Sequence, residues 1–478
     1  MFVDRENELK SLGDIAKKGG ADLIVIYGPR RIGKSTLVRK FLEGKKSVYY
    51  QATNESESVQ LGVFSREIGK AIGNEILAEH GITDWLALFR FLAEYRKKEK
   101  LFVAIDEFPY LVRLNKALPS ILQSAWDQYL SSSNVALILA GSSISMMRSE
   151  VLSYSSPLYG RASLAFNLKP LAFKHVVQLL PSMSFIDRLY TYFIFGGIPA
   201  YYAGLATAKS FDDVLRRVFA SSDLFYSELS LLLSEEVKKD AKYIEILTLI
   251  AEGVNKPSEI ASKARIAQSN LYYYLDLLES IGIVEKEWPI TENMLLRSKR
   301  ISYVINSNFA FFWANVLLKL MNYIQRYSLD KAVEESKIII ESIASKRFEY
   351  FAKEFLLELS INKKIFTITR IGRWWGRDPS KQKGMNEEEI DVVALNEKSK
   401  DILFAECKWT SKSIGVDVYI DLKRKAKLVQ WHNKDRHEHY ALFSKSGFTE
   451  EMKGIAEKER VLLFDLEAIE KALEAGKI

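Results

Sequence analysis

The chain has 478 residues, of which 48% are hydrophobic and 27% are charged, and its 68 basic and 61 acidic side chains give a formal charge of +7. This composition excludes a disordered or collagen-like chain. The single cysteine, Cys407, excludes a disulfide framework and a Cys-rich zinc module, so we expect a reducing, cytoplasmic compartment. At about 150 residues per domain, the length predicts roughly three domains.

The amino-terminal segment and the uncharged stretches predict neither export nor a membrane span. The first charged side chain is Asp4, so the segment lacks the apolar core of a signal peptide. Glycine, proline, serine or asparagine interrupts each of three uncharged stretches, residues 128–147, 189–208 and 301–318. We interpret these stretches as buried elements of a soluble core.

A phosphate-binding loop is predicted between a buried strand at residues 23–27 and a helix that begins near Lys34. The loop matches the pattern G-x-x-x-x-G-K-[ST] and consists of Gly28, Pro29, Arg30, Arg31, Ile32, Gly33, Lys34, Ser35 and Thr36. Its glycines allow backbone N–H groups to point at phosphates, Lys34 would reach the β- and γ-phosphates, and Ser35 would offer a hydroxyl to Mg²⁺. We therefore expect ATP or ADP and Mg²⁺ as cofactors.

Two further apolar runs are predicted to bring polar side chains to the same edge of a parallel sheet. Residues 101–106 end in Asp106, and Glu107 follows directly. We expect Asp106 to hold Mg²⁺ through water and Glu107 to polarise the attacking water. Residues 135–140 lead into Ser142 and Ser143, which are candidates for contacting the γ-phosphate or that water.

Residues 1–226 resemble the AAA+ type of P-loop ATPase, and more narrowly the archaeal ATPase group within the signal-transducing STAND branch. Residues 2–9, FVDRENEL, resemble the F-x-x-R-x-x-E-L entry motif of that group. Gly160-Arg161 resembles its G-R motif, and residues 196–199, GGIP, resemble its G-x-P signature. The resemblance implies that Pro199 meets the adenine. It also implies that Arg161 contacts the γ-phosphate, either in its own subunit or across the interface of a homo-oligomer.

Residues 242–289 predict a winged helix-turn-helix, because three helical apolar patterns precede a turn and a β wing. Such a fold commonly enters a DNA groove. However, residues 241–290 carry five basic and seven acidic side chains, whereas a phosphate-contacting helix should be positive. An interdomain or regulatory role and direct DNA reading both remain open.

The last third of the chain predicts an amphipathic helix at residues 348–356 and a β-hairpin formed by residues 389–395 and 402–409. Asp391 lies in the first strand, while Glu406 and Lys408 alternate on the second and share one face. Two acids and a lysine that converge in this way can hold one or two Mg²⁺ ions and position a water against a phosphodiester.

These residues resemble the PD-(D/E)XK nuclease fold of restriction enzymes and archaeal Holliday-junction resolvases. Asp391, Glu406 and Lys408 match its D…E-x-K pattern, and Glu349 matches its helical acid, which makes the three acids candidate metal ligands. The family also places polar residues on the next helix, where the candidates are Lys423, Arg424 and Lys427. The neighbouring residues 361–384 carry seven basic side chains and one acidic one, and Trp374-Trp375 within them could stack on bases or fill the core.

We predict an α/β protein with three domains: an AAA+ P-loop ATPase domain with a helical lid, a winged helix-turn-helix with a connector, and a restriction-endonuclease-like α/β domain. The predicted ranges are 1–226, 227–330 and 331–478. The first hypothesis is an ATP-dependent, DNA-associated machine in which ATP hydrolysis is coupled to a Mg²⁺-dependent nuclease. The alternative is a STAND-type signalling switch with a non-catalytic terminal binding domain.

Overall fold

The computed structural model describes residues 2–95, 98–236, 241–292, 300–320, 326–382 and 384–474. The chain forms two compact units. The first comprises Met1–Leu171, Ile198–Ala203 and Ser234–Lys238, and the second comprises Ala172–Gly197, Gly204–Leu233 and Lys239–Ile478. Among the described residues, no helix is both long and apolar enough to cross a membrane.

The two units do not follow the predicted boundaries at residues 226 and 330. Aromatic packing explains the difference, because segments before residue 226 pack within the second unit. The ring of Phe173 meets that of Phe351 edge-on with centroids 5.2 Å apart, and the rings of Tyr190 and Phe193 lie 5.5 and 5.3 Å from that of Trp409. The division into three domains stays a prediction.

The first unit is built on a parallel sheet of five strands, which are β1 (Asp22–Tyr27), β2 (Ser47–Gln51), β3 (Leu101–Asp106), β4 (Val135–Gly141) and β5 (Leu164–Asn167). Their order is β2-β3-β4-β1-β5. The helices are α1 (Glu6–Lys17), α2 (Lys34–Leu42), α3 (Glu57–Ile72), α4 (Glu75–His80), α5 (Trp85–Ala93), α6 (Phe108–Leu114), α7 (Leu118–Gln128) and α8 (Ile144–Met147). Shorter 3₁₀ or π turns are Leu130–Ser132, Arg148–Leu152 and Pro199–Tyr202.

Both faces of the central strands β1, β3 and β4 are buried, as expected for parallel strands covered by helices. In β1, Leu23 and Val25 enter one apolar core, while Ile24 and Ile26 enter the other, which also contains Leu37 of α2. Because the strands are parallel, the residues that follow β1, β3 and β4 emerge at one edge. The fold thereby brings the predicted loop and the predicted acids to the same edge.

The second unit begins with helices α9 (Phe173–Val176), α10 (Phe185–Phe195), α11 (Phe211–Ala220) and α12 (Ser222–Glu236), of which α12 ends within the first unit. A helix-turn-helix follows, with α13 (Ala241–Ala251), α14 (Pro257–Lys263) and α15 (Gln268–Ser280). Strands β6 (Val284–Glu287) and β7 (Ser302–Ile305) pair antiparallel after it. This arrangement agrees with the predicted helix-turn-helix and its wing.

The rest of the second unit is an α/β fold around a mixed sheet. Its strands are β8 (Arg370–Arg377), β9 (Glu387–Asn396), β10 (Asp401–Lys408), β11 (His437–Ser444) and β12 (Leu462–Asp465), in the order β12-β11-β10-β9-β8. Pairing is antiparallel from β8 to β10 and parallel from β10 to β12. The helices are α16 (Asn308–Phe312), α17 (Leu329–Ile361), α18 (Val416–Ala426), α19 (Glu450–Glu459) and α20 (Leu466–Glu474), with turns at Val177–Leu179 and Trp313–Leu317.

Helix α17 is much longer than the predicted helix at residues 348–356. It has 33 residues, because buried side chains continue at helical spacing on its amino-terminal side, through Val333, Ile340 and Ala344. The predicted hairpin agrees with β9 and β10, which are joined by the turn at residues 397–400.

The basic stretch at residues 361–384 contains an edge strand. Much of it is the edge strand β8, in which Trp374 is 5% exposed and packs in the apolar core, so this ring fills the core instead of stacking on bases. Arg370 pairs with Glu397 and Lys381 pairs with Glu388. Lys383 lies outside the described residues.

A buried ion cluster joins the wing to this edge strand. The Glu287 carboxylate on β6 lies 3.1 Å from the Lys353 ammonium and 3.4 Å from the Arg373 guanidinium, which also lies 2.6 Å from Glu389. Burial alone would raise the pKa of Glu287, but the two cations hold it below its usual range. The Ile290 N–H also donates to the Arg373 carbonyl at 3.0 Å. These contacts attach the winged segment to the mixed sheet, and both belong to the second unit.

We expect Arg373→Ala to destabilise the protein by about 3 kcal/mol, because it leaves a buried carboxylate with less compensation. Arg377→Ala is the matched control, since its exposed side chain at the end of the same strand should change stability by no more than about 0.5 kcal/mol. The measurement is the urea unfolding midpoint followed by tryptophan fluorescence. Equal midpoints for the two variants would contradict a stabilising role for the cluster.

Candidate functional site

The loop between β1 and α2 adopts a conformation that requires glycine at its two fixed positions. Gly28 has a φ of +152°, and a Cβ there would meet the Leu168 carbonyl oxygen at 2.6 Å. Gly33 has a φ of +95° and is the N-cap of α2. The backbone can therefore wrap closely before the helix begins, which suits a loop whose N–H groups bind phosphates.

The Lys34 ammonium lies inside the curve of this loop. The residue is 5% exposed, and its Nζ donates to the carbonyls of Gly28 at 2.9 Å and Pro29 at 2.8 Å. Burial lowers the pKa of Lys34 to about 8, although the nearby Glu107 and Asp106 oppose that effect. A phosphate at this position would offer Lys34 an anionic partner in place of two neutral carbonyls.

Asp106 is fully buried at the end of β3 and is held by three hydrogen bonds. Its Oδ2 accepts from the hydroxyls of Ser35 and Tyr49, each at 2.5 Å, and its Oδ1 accepts from the Glu107 N–H at 2.9 Å. The Ser35 hydroxyl and the Asp106 carboxylate are hard oxygen donors, so this pair fits Mg²⁺. Tyr49 is not among the predicted site residues, and only the pairing of β2 with β3 could have indicated it.

Glu107 follows directly and is held by Ser142. Its φ is +55°, and its Oε2 accepts from the Ser142 Oγ at 2.7 Å and from the Ser142 N–H at 3.2 Å. The residue after β4 therefore contacts the candidate water-polarising acid. The predicted contact of Ser142 or Ser143 with the γ-phosphate or the attacking water is not tested and stays a prediction.

The segment around Pro199 lies near the loop. The Arg31 guanidinium is 5.9 Å from the centre of the Tyr201 ring, and Ile198 packs on the same apolar core as α2. Pro199 itself is half-buried and begins the turn Pro199–Tyr202. Its contact with an adenine stays a prediction.

Arg161 lies at the opposite edge of the sheet from the loop. Arg161 comes shortly before β5, which pairs in parallel with β1. The Ser163 N–H donates to the Leu23 carbonyl at 2.8 Å, so β5 begins beside the start of β1, whereas the phosphate loop follows the end of β1. Its guanidinium pairs with Asp127 through two hydrogen bonds of 2.8 and 2.7 Å. This placement disagrees with a γ-phosphate contact in the same subunit, while a contact across an interface stays a prediction.

A second polar cluster in the other unit lies on β9 and β10. The Asp391 Oδ2 accepts from the Cys407 N–H at 2.9 Å, and the Glu406 Oε1 lies 2.7 Å from the Lys408 Nζ and 3.4 Å from the Lys425 Nζ. Burial, Glu406 and Glu349 together raise the pKa of Asp391 to about 7. The Glu406 Oε2 is buried and has no hydrogen-bond partner among the described residues.

Glu349 lies close enough to raise the pKa of Asp391, and its role as a metal ligand stays a prediction. Within the described part of the chain, no group of three or more His, Cys, Asp or Glu side chains is arranged to hold a metal ion. The Glu349 carboxylate is instead paired with the Lys346 ammonium at 3.0 Å. The unpartnered Oε2 of Glu406, close to Asp391, is a carboxylate oxygen of the kind that binds Mg²⁺.

The residue of α18 that reaches the cluster is Lys425, not one of the predicted candidates. Lys423 pairs with Glu459, and Arg424 pairs with acids on its own helix and on neighbouring segments. Lys425 lies three residues after the buried Leu422, on the same side of this helix. That position next to the buried face could have identified it from the sequence.

Three known families match separate parts of the chain. Residues 2–203 match an ATPase domain found predominantly in Archaea. Residues 240–286 match the arsR family of bacterial regulatory proteins, which agrees with the helix-turn-helix. Residues 313–420 match a family described as archaeal and bacterial proteins of unknown function. The predictions of a P-loop ATPase domain and a helix-turn-helix are confirmed.

Individual proteins resemble either one segment or nearly the whole chain. "Uncharacterized ATP-binding protein MJ0423" of Methanocaldococcus jannaschii is 50% identical over 46 residues, which are 10% of this chain and 78% of that protein. The solved "Walker-type ATPase PABY2304" of Pyrococcus abyssi is 20% identical, with a TM-score of 0.47 over 66% of this chain and 96% of that one. "Uncharacterized protein MJECL04" of M. jannaschii is 36% identical over 98% of this chain and 99% of its own length. The chain therefore belongs to the family of MJECL04 and carries an archaeal-type P-loop ATPase domain.

Proposed function

We propose that the first unit binds and hydrolyses ATP at the loop formed by residues 28–36. The observation that carries this proposal is the contact of Ser35 with Asp106 beside a Glu107 that Ser142 holds in place. The arrangement supplies a phosphate cradle, oxygen donors for a cation and an acid for the attacking water at one edge of the sheet.

Each group has a distinct proposed role. The loop N–H groups and Lys34 bind the phosphates, and Ser35 and Asp106 hold Mg²⁺, which when bound neutralises charge on the phosphates. Glu107 accepts a proton from the attacking water. Ser142 positions Glu107, and Tyr49 positions Asp106, through the hydrogen bonds that they donate.

We expect Lys34→Ala to weaken ATP binding and Glu107→Gln to keep binding while hydrolysis falls by about 10²-fold or more, because the second change removes only the proton acceptor. Glu94→Gln, an exposed site in the same unit, is the control and should retain both properties. Binding is measured with a fluorescent ATP analogue and hydrolysis by phosphate release. Normal turnover in Glu107→Gln would remove this residue from the proposed role.

We also propose that the active form is an oligomer in which Arg161 reaches the nucleotide of a neighbouring subunit. Arg161 lies at the opposite edge of the sheet from the phosphate loop of its own chain, and this separation supports the proposal. Arg161→Ala should lower hydrolysis by about 10³-fold. Mixing the Arg161→Ala chain with the Lys34→Ala chain should restore part of the activity. At an interface between the two variants, the intact Lys34 of the first chain meets the intact Arg161 of the second. Phosphate release that stays flat across all mixing ratios would contradict a role between subunits.

A second candidate function concerns the cluster of Asp391, Glu406, Lys408 and Lys425. We propose that the sheet β8 to β12 with α17 and α18 is a PD-(D/E)XK-like fold that acts on DNA in a Mg²⁺-dependent manner. The strand order, the acids on β9 and β10, and the unpartnered oxygen of Glu406 support this proposal. In it, Asp391 and Glu406 hold the cation, and Lys408 orients a phosphodiester.

We expect wild type to cut DNA with Mg²⁺ or Mn²⁺ and Asp391→Ala to lose cutting while DNA binding persists, because removing a carboxylate lowers repulsion of phosphate. Asp417→Ala removes an exposed acid on α18 and should cut normally. Linear, branched and single-stranded DNAs are compared with and without ATP. Wild type that cuts none of them, purifies with tightly held ADP and turns over slowly would favour the STAND-type switch.

A further inference from the structure

The edge of the first sheet opposite the phosphate loop carries a second feature, which we call the lysine concavity. It has a volume of about 380 Å³ and lies where α1 and α2 end and where β3 and β4 begin. Of the twelve lining residues that lie in the described part of the chain, half are lysines and one, Glu99, is acidic. The lysines are Lys17, Lys18, Lys45, Lys46, Lys98 and Lys100.

Two of these lysines have structural partners. The buried Lys100 ammonium donates to the carbonyls of Ile15 at 3.3 Å and Lys18 at 3.2 Å, and it pairs with Asp22. The Lys45 ammonium donates to the Phe41 carbonyl at 2.6 Å. These contacts compensate the carbonyls and the negative dipole at the ends of α1 and α2, so they account for two positive charges.

The other four lysines are not explained in this way. Within the described part of the chain, the exposed ammonium groups of Lys18 and Lys98 have no hydrogen-bond or ion-pair partner. Lys17 is 81% exposed on its side chain and lies 3.6 Å from Asp14, a distance and exposure at which an ion pair contributes little. Lys46 lies 5.9 Å from the centre of the Tyr95 ring. Positive charges gathered in a concavity repel each other and attract a polyanion.

We propose that the lysine concavity binds the phosphate backbone of duplex DNA without reading its sequence. Among the described residues, the lining offers ammonium groups but no arginine fork, and the one aromatic residue, Phe102, is buried and cannot stack on a base. Contacts of this kind position a protein on DNA and carry no base information. The choice of DNA rests on the DNA partner proposed above and on the helix-turn-helix match at residues 240–286.

The test compares two triple variants of the full chain. Lys17→Gln, Lys18→Gln and Lys98→Gln together remove three charges from the concavity, while Lys10→Gln, Lys70→Gln and Lys116→Gln remove three exposed charges elsewhere on the same unit. Binding of a short fluorescent DNA duplex is followed by anisotropy from about 50 to about 200 mM salt. We expect the concavity variant to lose about tenfold or more in affinity at low salt. The slope of log affinity against log salt should become shallower by about 2 to 3. The control should change neither value appreciably.

Three outcomes would overturn the inference: equal binding by the two variants, wild type that binds no duplex, or polyglutamate that competes as well as unlabelled DNA. ATP hydrolysis is measured on the same samples and should be unchanged in both variants, because none of these lysines belongs to the phosphate loop. Hydrolysis that is absent from wild type contradicts the proposed ATPase alone. If the concavity variant loses DNA binding and the control variant does not, the inference is supported whether or not ATP is hydrolysed.

Discussion

The first unit depends on one fully buried carboxylate at the end of a parallel strand. Burying Asp106 without partners would cost several kcal/mol, so each of its oxygens must be hydrogen-bonded. The partners come from three places in the chain, namely Ser35 after the phosphate loop, Tyr49 on β2 and the backbone of Glu107. Stabilising this single anion therefore fixes the start of α2, the neighbouring strand and the turn that presents Glu107. The candidate chemistry and the local stability share the same contacts.

The second unit places its charges differently. On one part of the sheet, Glu287, Lys353 and Arg373 compensate each other, and the result is a packed joint between the wing and the edge strand. On another part, Asp391 and Glu406 are buried close together with an oxygen of Glu406 left unpartnered. Fully paired charges belong to packing, whereas a buried carboxylate oxygen without a hydrogen-bond partner indicates an atom that a ligand or cation can satisfy.

The same distinction separates the lysines of the first unit. The ammonium groups of Lys100 and Lys45 donate to backbone carbonyls at helix ends, whereas those of Lys18 and Lys98 donate no hydrogen bond to any described residue. Net charge alone cannot make this distinction, because an excess of seven positive charges over 478 residues is mild. Position decides which of the charges is available to a partner.

The sequence by itself determined the features that depend on neighbours along the chain. The loop at residues 28–36, the strand ending in Asp106 and the hairpin around Asp391 and Glu406 are local patterns of glycine spacing and strand alternation. Tertiary structure decided which of the distant polar side chains meet, because these contacts join residues that are far apart in sequence. It placed Tyr49 on Asp106 and Lys425 on Glu406, took Arg373 into a buried cluster and set Arg161 at the far edge of the sheet. Strand order and helix packing create these juxtapositions, and neither is encoded in the local pattern of any one segment.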